Sequence, residues 1–167
     1  QRREQSVMLI RQATHEDAAD IALLNEIFVD VTSPMDHQRC LELLALSSYC
    51  LVADEGDRLL GFVMAMRSGS PYDNGNYQWF EARVQNMVYV DRIVLASDTR
   101  GRGIGVALYD HLGSLAVADG CTVMTAEMNI LPPNDHSLYF HAKQGFVEQG
   151  QRVLDSGKTV SMQWRNL

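Results

Sequence analysis

Hydrophobic and polar positions along the chain follow two periods, one near 2 and one near 3.6, and they switch at recognisable punctuation. Residues 7–11 form a short apolar run of strand type, closed by Thr14-His15-Glu16-Asp17, where Thr14 can accept a backbone N–H at a helix start. Ala18, Ile21, Leu24, Ile27 and Phe28 then recur at three-to-four spacing and predict a helix, stopped at Ser33-Pro34 because proline restrains the residue before it. A second helix is predicted over residues 36–46, with Cys40, Leu43, Leu44 and Leu46 as its apolar stripe. Residues 49–53 and 59–66 are apolar runs joined by Asp54-Glu55-Gly56-Asp57, the turn chemistry of a β-hairpin. Residues 68–76 read as loop by composition, yet lead into Tyr77, Trp79 and Phe80, so this loop is expected to cover something. Residues 87–95 predict a central strand, followed by glycines at 101, 103 and 105 and a helix carrying Val106, Leu108, Leu112, Leu115 and Ala116. After Gly120, residues 121–128 predict a strand, and Pro132-Pro133-Asn134-Asp135 opens a helix that Gly145 ends. Two last strands follow, one between Phe146-Val147 and Val153-Leu154 and one over residues 159–164. The order βααββ(loop)βαβαββ describes one mixed α/β sandwich, antiparallel in its first half, with helices on both faces. A single domain is expected over residues 7–167, behind a flexible tail at residues 1–6.

Composition narrows the function. With 46% hydrophobic and 21% charged residues the chain of 167 can bury a core and lies far from the disordered class. Its 14 Lys+Arg against 21 Asp+Glu give a net charge of −7, without the basic footprint of a nucleic-acid binder. The longest apolar stretches are interrupted, as Glu42 interrupts residues 41–46, so neither a membrane span nor a secretory signal is expected. Cys40, Cys50 and Cys121 form no C-x-x-C pair and the five histidines show no ligand spacing, which argues against a disulfide framework and a metal site. The cysteines are expected to be reduced and buried, in a cytoplasmic protein.

The strand at 87–95 runs into Arg100-Gly101-Arg102-Gly103-Ile104-Gly105-Val106, a glycine turn at a helix start where backbone N–H groups and the helix dipole favour an anion. Spacing separates the known phosphate turns. G-x-G-x-x-G would need glycine where Val106 stands, and the Gly-Lys-Ser/Thr of a P-loop is absent. What remains is R-x-x-G-x-G, formed by Arg100, Gly103 and Gly105, and it resembles the acyl-CoA pyrophosphate turn of the GNAT acetyltransferase superfamily. Asn134, Ser137, Phe140, Gly145 and Phe146 resemble the second signature of that family, an Asn-led helix ending in a Gly-Phe pair, and the element order agrees over nearly the whole chain.

The resemblance implies the GNAT fold and an N-acetyltransferase that moves an acetyl group from acetyl-CoA to a primary amine of a small molecule or peptide, by direct attack in a ternary complex. It implies that the backbones of Ile93, Val94 and Leu95 pair with the pantetheine arm. The N–H groups from Arg100 to Val106, through Gly101, Arg102, Gly103, Ile104 and Gly105, would hold the pyrophosphate. Asn134 would bond the arm or hold the helix start. Many family members carry a tyrosine that protonates the leaving thiolate; that position is His141 here, with Tyr139 two residues earlier and about 200° away around a helix. His141 is the favoured candidate acid, because Phe140 keeps the aromatic that precedes the family's tyrosine, and Tyr139 is the alternative. Family members are often homodimers, so self-association is an expected partnership beside the amine substrate.

Transfer to an amine also needs a proton acceptor, for which Asp91 on the central strand and Glu127 near the end of the adjoining one are the candidates, acting through a water. The alternatives are an Asp91 salt-bridged to Arg92 or Arg11 and a Glu127 that pairs with an arginine. The resemblance implies an acceptor wall from the first helices and the loop before the central strand, for which Phe28, Tyr72, Tyr77, Trp79 and Phe80 are the candidates. The absence of the family tyrosine keeps open a non-catalytic acyl-CoA-binding sensor.

Overall fold

In the computed structural model, residues 8–27 and 32–167 are described. Seven strands and five helices follow in the order β1 (Leu9–Gln12), α1 (Ala18–Ile27), α2 (His37–Leu46), β2 (Tyr49–Asp54), β3 (Leu59–Arg67), α3 (Gly75–Glu81), β4 (Met87–Leu95), α4 (Ile104–Ala118), β5 (Val123–Leu131), α5 (Asp135–Lys143), β6 (Val147–Val153) and β7 (Thr159–Asn166). The strands make one mixed sheet ordered β1-β2-β3-β4-β5-β7-β6. Two compact units share the chain, the described residues up to Met64 with Arg92–Leu112, and Ala65–Asp91 with Gly113–Leu167. Among the described residues no helix is long and apolar enough to cross a membrane.

In the first unit β1 pairs antiparallel with β2, Leu9 opposite Asp54 and Gln12 opposite Leu51. Arg11 clamps the chain ahead of α1. Its Nη1 and Nη2 donate to Asp17 at 2.8 Å each and its Nε donates to Asp54 at 3.0 Å, while Asp17 also accepts the Thr14 N–H at 2.8 Å. The guanidinium holds the Asp17 carboxyl below the usual carboxylate range. The buried stripe of α1 differs from the expected one: Ile27 is 68% exposed and Asn25 is fully buried. Asn25 is inside because its amide is used on both sides, donating to Ser33 O at 2.9 Å and accepting from Arg92 Nη1 at 3.1 Å. Phe28 lies outside the described residues. Cys40, Cys50 and Cys121 are free and buried, as the sequence suggests; burial pushes the Cys50 thiol up to about 12.

In the second unit β4 pairs parallel with β5 at Met87↔Val123, Val88↔Met124 and Tyr89↔Thr125, and the pairing ends there although both strands continue. β5 pairs antiparallel with β7 from Val123↔Asn166 to Leu131↔Thr159, and β6 covers the far side of β7. The loop expected over residues 68–76 gives way to a helix already at Gly75, running to Glu81. Glycine and asparagine at its start are poor helix formers, so α3 is held by other means: the Asn74 side chain accepts the Tyr77 N–H at 3.0 Å, and aromatic packing fixes its inner face. Tyr77 lies 5.5 Å from Tyr89, Phe80 5.8 Å from Tyr89 and 6.4 Å from Trp164, ring centre to ring centre. The expectation that this segment covers something holds, and what it covers is Tyr89. The fifth helix is capped as predicted, with Asn134 accepting from Ser137 N–H at 3.3 Å and Gly145, at φ +89°, closing its C-terminus.

Candidate active site

The glycine turn is built by the end of β4 and the start of α4. Gly101 and Gly103 have φ of +78° and +70°, and a Cβ at either would meet nothing within 4 Å, so the backbone here is left-handed and open on its outer side. Ala107 N–H is the first to close a helical bond, to Gly103 O at 3.0 Å. The N–H groups of Ile104, Gly105 and Val106 therefore have no intrahelical acceptor and point out at the positive end of the helix dipole. Arg100 is exposed beside them. Arg102 is committed elsewhere, its N–H to Thr99 O at 3.2 Å and its Nη2 to Glu55 at 2.6 Å. An anionic diphosphate fits this turn by donor geometry, with Arg100 rather than Arg102 as the nearby cation.

β4 approaches the turn with only half its backbone available. Ala96 N–H donates to Leu60 O at 2.8 Å, and Val94 O stands 2.8 Å from where a Cβ on Gly61 would be. Residues 94 and 96 thus face β3, and by alternation the amides of Ile93 and Leu95 face away from it. Of the three expected pantetheine partners, Ile93 and Leu95 present their backbone groups and Val94 spends its own inside the sheet. Gly61 was not singled out from the sequence; its role appears only when the neighbouring strand is seen to lie against it.

The second unit holds a carboxylate cluster. Tyr89 Oη lies 2.8 and 2.9 Å from the two Glu127 oxygens, and Asn76 Nδ2 donates to Glu127 Oε1 at 3.0 Å. Tyr72 Oη donates to Asp91 at 2.6 Å. Withdrawal of the Glu127 carboxyl from water, reinforced by the negative charge of Asp91, pushes it up to about 7, against the pull of the Tyr89 and Asn76 hydrogen bonds. The two carboxylates expected as bases are thus brought together. Tyr72 and Asn76, which position the pair, lie in the stretch read as loop.

On α5, His141 is 3% exposed and Tyr139 is 64% exposed. The imidazole sits edge-on to Phe140 and Phe146, and its Nδ1 lies 2.7 Å from Ser137 O, which can only accept, so Nδ1 carries the hydrogen of the neutral ring. Burial pushes His141 down to about 4, with Arg165 adding to the shift. Lys143 Nζ lies 4.8 Å over the Tyr139 ring. Asn134 serves the helix start, the second of its two expected roles. Of the acceptor-wall residues, Tyr77 and Phe80 are 2% and 0% exposed and carry the packing of α3, and Trp79 lies under Arg83 at 3.7 Å. Tyr77 also borders an open pocket of about 530 Å³ with Tyr72, Asp73 and Glu81.

A mixed sheet whose central parallel pair separates, with a glycine turn at a helix start and an Asn-capped helix before Gly-Phe, defines an acyltransferase fold. The sequence profile of the acetyltransferase (GNAT) family matches residues 13–146, and the chain belongs to that family. No curated protein matches. Among solved structures, Ard1 from Thermoplasma volcanium superposes with a TM-score of 0.78 at 16% identity, over 96% of this chain and 97% of its own. The ribosomal-protein-alanine N-acetyltransferase of Brucella melitensis superposes at 0.73 with 22% identity, over 95% and 99%. The protein yncA of Salmonella typhimurium, solved with its cofactor acetyl-CoA, superposes at 0.73 with 21% identity, over 97% and 95%. These likenesses are likenesses of fold.

Proposed function

We propose that this chain transfers an acetyl group from acetyl-CoA to a primary amine of a small molecule or peptide, by direct attack within a ternary complex. Acetyl-CoA would supply the activated acyl group as a thioester. The N–H groups at Gly103 to Val106, with Arg100, would hold its pyrophosphate, and the amides of Ile93 and Leu95 would pair with its pantetheine arm. The attacking amine must lose a proton, and Glu127 is the acceptor. Asp91, oriented by Tyr72, adds negative charge that raises the basicity of Glu127. The proton for the leaving thiolate is assigned to Tyr139, because neutral His141 already spends its only ring hydrogen on Ser137 O.

The single observation that carries this reading is a carboxyl pushed up to about 7 within a hydrogen-bonded cluster, which matches a base to neutral pH. The test is release of free CoA thiol from acetyl-CoA across a panel of primary amines, with parent and Glu127→Gln. Parent turnover with at least one amine is expected, and a fall in kcat of about 10²-fold or more in the variant with acetyl-CoA affinity retained. Undiminished turnover in the variant would overturn the role of Glu127. His141 at the place of the family tyrosine favours a second reading, an acyl-CoA-binding sensor without turnover. Tight acetyl-CoA binding with no thiol release from any amine would select it.

A further inference from the structure

Two residues of β6 grip two residues of α3, and the grip ends on Glu127. Gly150 and Arg152 are two apart on a strand and share a face, as Gly75 and Trp79 do at four apart on a helix. A Cβ on Gly150 would stand 2.9 Å from Trp79 Cζ2, and a Cβ on Gly75 would stand 2.9 Å from Arg152 Nη2. Both glycines are therefore seats for the other element's side chain. Seated on Gly75, Arg152 donates through Nη1 to the side-chain oxygen of Asn76. An amide has one oxygen and one nitrogen, so fixing Oδ1 on the arginine turns Nδ2 the opposite way. There it donates to Glu127 Oε1 at 3.0 Å.

We propose that Arg152 and Asn76 are a positioning pair for acetyl transfer, in which the guanidinium locks the amide so that its N–H is held against the Glu127 carboxylate. The inference rests on the reading of Glu127 as the base. Without Arg152 the amide is free to turn its oxygen toward the carboxylate, replacing an attraction by a repulsion. The groups that set the charge on Glu127 are Tyr89 and Asp91 from β4, with Tyr72 behind Asp91, and Asn76 from α3 with Arg152 of β6 behind it. Asp91 and loss of water favour the protonated acid, while Tyr89 and Asn76 favour the anion that accepts a proton. Arg152 acts on the same side as Asn76. It touches no reacting atom, which is why its effect is expected in a pH profile and not in affinity for acetyl-CoA.

Two measurements test the pair on the full chain. The first is kcat/KM against pH for parent, Arg152→Met, Asn76→Ala and Arg152→Lys; the second is ¹³C NMR titration of the Glu127 carboxyl in the same proteins without ligand. In Arg152→Met, which has no donor for Asn76 Oδ1, and in Asn76→Ala the acid limb and the NMR midpoint are expected to move up by about one pH unit, with the KM for acetyl-CoA unchanged. Arg152→Lys is expected to recover most of the shift, since it restores a donor to Asn76 Oδ1. Midpoints that coincide with the parent in both variants overturn the proposal, even if kcat falls. The reading of Glu127 as base is checked apart: an acid limb that persists in Glu127→Gln overturns that reading and the catalytic use of the pair, while the NMR midpoints still report whether the pair holds the carboxylate. The two failures are thereby distinguished.

Discussion

Tyr89 sits in the last pair of β4 with β5, opposite Thr125, Glu127 stands two residues further along β5, and the phenol oxygen lies within 2.9 Å of both carboxyl oxygens. Tyr89 is fully buried and its own pKa is raised well above the ordinary value by burial and by Glu127, so it remains a donor through neutral pH. The donor does not win outright, because Glu127 still rises from 4.5 to about 7. A raised carboxyl contributes stability that is complete below its unfolded value and is lost as pH rises through the folded one. Relative to the parent, Glu127→Gln is thus expected to gain stability between about pH 5 and pH 8. The gain should be about 2 kcal/mol, below the full linkage value because the side chain keeps some contact with water. Urea unfolding of both proteins at the two pH values measures it; an unchanged difference would refute the raised carboxyl.

Gly61 and Gly113 make opposite demands, and the contrast yields a second prediction. An alanine at 61 would place its Cβ 2.8 Å from the backbone oxygen of Val94 and 2.9 Å from Leu95 Cδ2. Backbone must move, so Gly61→Ala is expected to cost about 1–3 kcal/mol and to raise the Kd for acetyl-CoA by displacing the strand that carries Ile93 and Leu95. At Gly113, inside α4, nothing lies closer than 3.7 Å. There alanine relieves the helix of a poor former and should stabilise by about 0.5–1 kcal/mol. Denaturant melts of the two variants, with calorimetric titration of acetyl-CoA, give the comparison.

The parts of the fold written in local pattern were legible in advance, and those written in distant contacts were not. Strands at 49–53, 59–66 and 87–95 announce themselves as apolar runs, and Asn134 and Gly145 mark the ends of α5 by capping chemistry alone. The carboxylate pair was readable for a similar reason, since acids on two central strands are conspicuous. Helix α3 was not readable, because Gly-Asn-Tyr-Gln-Trp-Phe-Glu has weak propensity and is helical through rings supplied by Tyr89 and Trp164. The one local clue was Asn74, a capping residue three before Tyr77. Asn76 and Arg152, 76 positions apart, share no pattern that a linear reading can detect. The buried stripe of α1 misled for the same reason: Asn25 is inside because Ser33 O and Arg92 take up its amide, contacts that no helical period announces.

The two candidate acids on α5 now make separable predictions. His141 is neutral down to about pH 4, packed between two phenylalanines, with its ring hydrogen on Ser137 O. Its loss should therefore be felt first in stability: His141→Ala opens a cavity beside Phe140 and Phe146, at a cost of about 2–3 kcal/mol. Tyr139 is exposed and packs on Lys143, so Tyr139→Phe removes only a hydroxyl and should leave stability within about 0.5 kcal/mol. If Tyr139 protonates the thiolate, kcat in that variant falls about 10-fold or more. Should Tyr139→Phe keep full kcat while His141→Asn, measured where it is still folded, loses it, the assignment is reversed. Because one variant reports mainly through melting and the other through turnover, a pair of unfolding curves beside a pair of kcat measurements separates the two roles.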